Sequence, residues 1–244
     1  MTAQFAKDEE FQKRDAVSAF RDIQLFWSFT NDELYEVVRK AKIRKIRRNR
    51  IVLNGEDTNH YMYLILAGRV KVVQVAEEGK EVIIAVHQSG ESFGEVSLID
   101  GKTTRASVVA LEDSVIAYIA KKEYNALIST NKKMLDNLLT ILCSRLRESW
   151  EKIQLLSFTN VSQRVKMLLH LLSDEHGRKT TEGVAVNIRL THQDIANMIG
   201  TSRETVTRIM EKMSRDGEIG MLANKRILLK PGFVREDVKW PGKS

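Results

Sequence analysis

A single cysteine, Cys143, is all the thiol this chain of 244 residues contains. One thiol excludes an intramolecular disulfide and cannot by itself hold an iron–sulfur cluster or a structural zinc. Cys143 falls among the apolar positions of a helical stretch, which predicts a buried, inert side chain. No run approaches the ~18 apolar residues that span a bilayer, so no membrane association is expected. Met1 to Asp15 is charged and polar rather than a signal peptide, and the expected location is the cytoplasm. His60, His87, His170, His176 and His192 show no His-x-His or His-Glu-x-x-His spacing, so no metal site is implied. A Gly-x-Ser-x-Gly elbow, a P-loop and a Gly-x-Gly-x-x-Gly fingerprint are also missing. The expectation is a protein that is not an enzyme and carries no metal, haem or iron–sulfur cofactor.

What the chain has in excess is base. Lys and Arg number 39 against 32 Asp and Glu, a formal net charge of +7 and a pI near 9.4. That balance favours a polyanionic partner. With 43% apolar and 29% charged residues, the composition is globular. The length accommodates one large or two modest domains, each with its own core.

Residues 31 to 42 have helical period. From Ile43 the pattern changes to short runs that predict strands at Ile51–Leu53, Tyr61–Leu66, Val70–Ala76, Val82–Val86, Ala106–Ala110 and Val115–Ile119. Asn54-Gly55, Ala67-Gly68, Glu78-Gly79, Ser89-Gly90 and Asp100-Gly101 punctuate them, supplying positive φ for hairpins. Short strands so closely spaced predict a β-barrel or jelly roll. Arg39 to Arg50 holds eight Lys or Arg in twelve residues; alternation along a strand places them on one solvated face, which is preferred here to a nucleic-acid contact. The first twenty residues read as a poorly ordered extension with some helical tendency.

One helix is predicted from about Lys132 to Ser157. Its apolar residues Leu135, Leu139, Leu142, Leu146, Ile153 and Leu156 follow the 4,3 spacing of a two-helix seam, which calls for a partner helix. The plainest partner is the same helix of a second copy, making a homodimer. Position 149, the next expected seam member, is Ser149, either reached by something polar or bonded to its own helix.

Residues 191 to 215 read as two short helices joined by a tight turn. Thr191 and Asp194 have the spacing of a capping box, Gly200 suits a left-handed helix end, and Ser202 suits an N-cap. On the second helix Val206, Ile209, Met210 and Met213 share one side, while Arg203, Glu204, Thr207 and Arg208 share the other. Such a helix fits the major groove, where arginine donates twice to guanine and a carboxylate accepts from cytosine N4. Arg203, Glu204 and Arg208 are therefore assigned to base readout; Thr207, Thr201 and Ser202 suit phosphates or a thymine methyl. Thr191 and Gln193, opening the first helix, complete the DNA-contacting set. Ile219 to Leu229, bending at Ala223-Asn224-Lys225-Arg226, predicts a small hairpin, the wing of a winged helix.

Phe93-Gly94-Glu95-Val96-Ser97-Leu98 and Arg105-Ala106-Ser107-Val108-Val109-Ala110 have a logic of their own. Gly94 permits close backbone approach, Glu95 can accept from a sugar hydroxyl, and Arg105 offers a fork of donors to a phosphate.

Ser202-Arg203-Glu204-Thr205-Val206-x-Arg208-Ile209 closely resembles the recognition helix of CRP/FNR regulators, nearest the cAMP receptor protein branch, and the similarity runs from about residue 21 onward. The FNR branch typically lacks arginine at the Arg203 position. The resemblance implies an α+β chain: an extension over 1–20, a jelly-roll effector domain over 21–130, a dimerisation helix over 131–158 and a winged helix-turn-helix over 159–244. It implies readout of TGTGA-type half-sites on double-stranded DNA. Residues 93–98 and 105–110 resemble the phosphate-binding cassette of cyclic-nucleotide-binding domains. By that resemblance Glu95 holds a ribose 2′-hydroxyl, Arg105 holds the cyclic phosphate, backbone at Gly94, Val96 and Ala106 lines the site, and Ser149 and Trp150 complete it. The chain departs from the pattern at Ala106, where the cAMP-responsive activator has serine, at Ser107 for alanine, and at Trp150 for a small hydroxylated residue. The implied effector is cAMP or another cyclic nucleotide, acting allosterically, and RNA polymerase is the implied partner of residues 178–189. Rival readings are the same architecture with another ligand or none, a helical hairpin whose charges are merely solvated, and a barrel enzyme or storage module with a DNA-binding tail.

Overall fold

A computed structural model describes residues 16–76, 79–158, 160–222, 226–231 and 233. The chain divides into two compact units, Met1–Leu146 and Arg147–Ser244.

The first unit opens with a helical turn over 16–21, a 3-10 turn Gln24–Phe26 and helix α1, Asn31–Lys40. Helix α1 starts where it does because Thr30 and Glu33 cap each other: Glu33 N–H donates to Thr30 Oγ1 at 3.4 Å and Thr30 N–H donates to Glu33 Oε2 at 2.7 Å. Eight strands follow: β1 Lys42–Ile46, β2 Ile51–Leu53, β3 Tyr61–Ala67, β4 Arg69–Val75, β5 Glu81–Gln88, β6 Ser92–Phe93, β7 Ala106–Ala110 and β8 Ser114–Ala120. They form two antiparallel four-stranded sheets, β1-β8-β3-β6 and β2-β7-β4-β5, the jelly-roll arrangement that the strand spacing predicts. Three helices complete the set: α2 Glu95–Asp100, α3 Lys121–Thr130 and α4 Lys132–Ser157, the last running across the division between units.

Strand β3 is apolar at nearly every position because both of its faces are covered. Tyr63 and Ile65 join Leu53, Val70, Phe93, Val108 and Ile116 in a core between the sheets. Met62 and Leu64 point the other way and pack with Phe20, Phe26, Leu34, Ala117, Ile119 and Tyr124. Val17 and Phe20, assigned from sequence to a loose extension, are buried in this second core; residues 1–15 lie outside the described residues. Gly68, Gly79, Gly90 and Gly101 take the positive φ expected of them, whereas at the first turn it is Glu56, at φ 70°, and not Gly55 that does so. The basic run is not alternating: Lys42, Ile43, Arg44 and Lys45 are exposed in succession on β1, so both faces of this edge strand are uncovered.

Helix α4 has the bounds that its periodicity predicts. Met134, Leu138 and Ile141 are buried, while Leu135, Leu139 and Leu146 remain 40%, 53% and 52% exposed. Cys143 is exposed, contrary to expectation: it stands beside Leu139 and Leu146, which face outward, whereas Leu142 packs against the core.

The second unit holds α5 Val161–His176, β9 Gly177–Thr180, β10 Gly183–Val186, α6 His192–Ile199, α7 Arg203–Arg215, β11 Ile219–Met221 and β12 Ile227–Leu229. Its sheet has the order β11-β12-β10-β9. β11 and β12 are the expected hairpin; Ala223, Asn224 and Lys225 of its bend lie outside the described residues.

Candidate ligand cradle and nucleic-acid interface

Gly94 has φ 92° and ψ 0°. A Cβ there would stand 2.8 Å from Tyr63 Cδ2 and 2.9 Å from Asn59 Nδ2, so the backbone passes where no side chain fits. Buried Asn59 locks the turn, donating from Nδ2 to Gly94 O at 2.8 Å and accepting from Tyr61 N–H at 3.0 Å. The turn delivers Glu95 as the first residue of α2, only 3% exposed. Its Oε1 accepts from Arg145 Nη1, and Arg145 Nη2 donates to the Ser92 carbonyl. Glu95 Oε2, Ser92 Oγ and Tyr124 Oη are buried without a hydrogen-bond partner among the described residues. Burial, and secondarily the Glu95 carboxylate, push the Tyr124 hydroxyl up to about 12. A buried carboxylate left half satisfied is costly, and the oxygen that lacks a donor is a place for one from outside.

The second segment of the cassette lies against the same loop, residues 54–60. Gly55 N–H donates to Ser107 Oγ at 2.8 Å and Glu56 N–H to Thr104 O at 2.7 Å. A Cβ on Gly55 would meet Arg105 O at 2.8 Å, so its glycine serves close approach rather than positive φ. One loop thus touches both Gly94 and the 104–107 segment. Arg105 is exposed, and its guanidinium has no hydrogen bond or ion pair among the described residues. A free guanidinium, a half-satisfied buried carboxylate and a cradle that a Cβ would fill fit an anionic ligand bearing a sugar hydroxyl.

Other predicted members are placed differently. The Val96 side chain is 55% exposed on α2. The Ala106 N–H already donates to Thr104 Oγ1 at 3.1 Å. Ser149 and Trp150 are exposed and belong to the second unit. Arg145 escaped the sequence reading: a charged residue beside an apolar stripe gives no hint of an acidic partner 50 residues earlier.

In the second unit the predicted caps form. Thr191 N–H donates to Asp194 Oδ2 at 3.0 Å and Asp194 N–H donates to Thr191 Oγ1 at 3.1 Å. Gly200 is left-handed at φ 67°, and Ser202 Oγ accepts from Thr205 N–H at 3.2 Å. Gln193 Nε2 donates to Asn197 Oδ1 at 2.8 Å, and Thr201 N–H to Ala196 O at 3.1 Å. Val206, Met210 and Met213 bury the inner face of α7, with Ile209 half-buried. Arg203, Glu204, Thr207, Arg208 and Glu211 line one concave outer surface. Arg203, Glu204, Arg208 and Glu211 are exposed, and their side chains make no hydrogen bond or ion pair among the described residues. Two arginine forks and two carboxylates held open on one helix face match the donors and acceptors of base edges. The sequence reading missed Glu211, and it missed His192, whose Nδ1 is 2.8 Å from Thr207 Oγ1.

Residues 43–131 match the family model for the cyclic nucleotide-binding domain, and residues 163–231 that for the Crp-like helix-turn-helix domain. The chain is 34% identical over 164 residues to the cyclic AMP receptor protein of Thermus thermophilus, a stretch covering 67% of this chain and 72% of that protein. It is 30% identical over 224 residues to the cAMP-activated global transcriptional regulator CRP of Haemophilus influenzae, covering 91% and 95%. The solved structure of the c-di-GMP responsive global regulator CLP of Xanthomonas campestris matches with a TM-score of 0.68 at 23% identity, over 79% of this chain and 95% of that one, a likeness of fold alone. Among the described residues, no helix is long and apolar enough to cross a membrane, and no group of three His, Cys, Asp or Glu is placed to hold a metal ion.

Proposed function

The chain belongs to the CRP/FNR family of DNA-binding transcription regulators, which are not enzymes, and on that premise we propose that it is a homodimer whose affinity for palindromic TGTGA-type sites is set by a cyclic nucleotide, cAMP first. The observation that carries the reading is Glu95 Oε2, a buried acceptor with no donor among the described residues. Folding desolvates that oxygen at a cost of about 1–3 kcal/mol unless a hydrogen bond offsets it. A cyclic nucleotide would supply a ribose hydroxyl to donate and one negative charge to neutralise.

Glu95 would accept the hydroxyl, Arg105 would hold the charge, and the Gly94 backbone would border the ring. Arg145 belongs to α4, so any change in how Glu95 is satisfied is felt at that helix. The exposed leucines of α4 support pairing with a second copy. Ligand then shifts the population toward the dimer that fits its operator. On α7, Arg203, Glu204 and Arg208 would contact base edges, while Thr201 and Ser202 before it, with Thr191 and Gln193 at the start of α6, would contact phosphates. RNA polymerase as partner, through residues 178–189, and a cytoplasmic location belong to the same proposal.

A second reading, the same architecture with a different small ligand, is favoured by one observation: the Ala106 amide is spent on Thr104. Isothermal titration with cAMP, cGMP and ATP separates the two, followed by a gel shift on a TGTGA palindrome with and without the nucleotide that binds. Heat with cAMP and a ligand-dependent shift containing two chains are expected. Heat with neither cAMP nor cGMP retires the cyclic-nucleotide reading, and no shift under any condition retires the ligand-controlled operator.

A further inference from the structure

A hydroxyl that binds a phosphate must have a proton to give, since phosphate oxygens only accept. Thr207 has one such proton. Its Oγ1 lies 2.9 Å from the Arg203 carbonyl, which can only accept, and 2.8 Å from His192 Nδ1. If Nδ1 is protonated, the ring donates to Oγ1 and the Thr207 proton goes to the carbonyl. If Nδ1 is bare, ring and carbonyl both compete for that proton. In either tautomer it stays inside the protein.

Thr207 nevertheless lines the concave outer surface of α7 with Arg203, Glu204, Arg208 and Glu211. Threonine carries two heavy atoms on Cβ, so fixing Oγ1 fixes the methyl as well. With that proton committed, what Thr207 can bring to a base is the methyl, beside an Oγ1 that already contacts two protein groups and keeps only acceptor capacity. In the major groove the one base that presents a methyl is thymine. We infer that Thr207 reads a thymine methyl group and that His192 is its positioning residue; this rests on the DNA-reading function proposed above.

The test uses the full-length protein, with operators enriched from random duplexes without ligand and with cAMP. Each thymine of the enriched site is then replaced by uracil, which deletes only the methyl, and affinity is followed by fluorescence anisotropy. At one thymine per half-site the replacement is expected to weaken binding about fourfold, the worth of one buried methyl. Thr207→Ser keeps the hydroxyl and is expected to abolish that thymine-to-uracil ratio; Thr207→Val keeps the methyl and retains it. His192→Phe brings the ratio toward one, and His192→Asn, which places a nitrogen near the position of Nδ1, restores it. The ratio is internal to each variant, so a loss of stability alone does not move it. An unchanged ratio in Thr207→Ser overturns the inference, as does an equal loss on every duplex with a shallower salt dependence, the signature of a phosphate contact. In both cases a specific operator exists and the DNA-reading function stands; enrichment of no sequence overturns the two together.

Discussion

Arg145 grips Glu95 from the long helix α4, one guanidinium nitrogen on the carboxylate and another on the Ser92 carbonyl. The Glu95 side chain is 4% exposed and that of Arg145 20%, so the pair lies largely out of water. Removing one partner strands the other. Arg145→Ala is expected to lower stability by about 3 kcal/mol, the lower end for a broken buried pair because Arg145 keeps some solvent. Urea unfolding checks this, and Arg145→Ala combined with Glu95→Gln should recover part of the loss. A full, additive loss in the double variant would show that the two do not interact.

Arg105 presents the opposite case. It is exposed and unpaired among the described residues, so Arg105→Ala should change stability by no more than about 0.5 kcal/mol. Its effect is expected on the ligand: a charge-assisted hydrogen bond of about 1.5–3 kcal/mol corresponds to a weakening of cyclic-nucleotide affinity of roughly 10- to 150-fold. Isothermal titration of the variant reads the ratio, and an unchanged affinity would remove Arg105 from the site.

Tyr124 gives the protein an alkaline limit. Burial raises its folded-state value from 10.0 to about 12, and burial raises that of Tyr63 to about 12 as well. A raised folded value means stability that is complete below pH 10 and is lost as pH rises toward 12, because the unfolded chain releases those protons first. Tyr124→Phe also deletes a buried hydroxyl that has no partner among the described residues. Near pH 7 the variant is expected to be as stable as the natural protein or more so, with a shallower loss above pH 10. Denaturant midpoints from pH 7 to 11 measure both effects.

Arg203 and Arg208 should behave as base readers. Arg203→Ala is expected to weaken operator binding by about 1–3 kcal/mol and leave nonspecific DNA binding nearly untouched. Competition between operator and random duplex at fixed salt measures the difference. Equal loss on both would place Arg203 on the phosphates.

Sequence alone determined whatever is local in cause. Thr30 with Glu33 and Thr191 with Asp194 are caps closed within three residues, and the bounds of α4 follow from its own periodicity. Strands β2, β3, β4, β5, β7, β8, β11 and β12 were legible because apolar runs and turn residues mark them one at a time, whereas β1, β6, β9 and β10, short or largely polar, were not. Helix α2 was not: six residues between Gly94 and Gly101 have no period of their own. Only tertiary structure decided which face of α4 turns outward, and with it that Cys143 is exposed rather than buried. It alone joined Arg145 to Glu95 and His192 to Thr207, since a polar contact depends on where two chain segments come to rest, and no pattern of neighbours along the chain encodes that meeting.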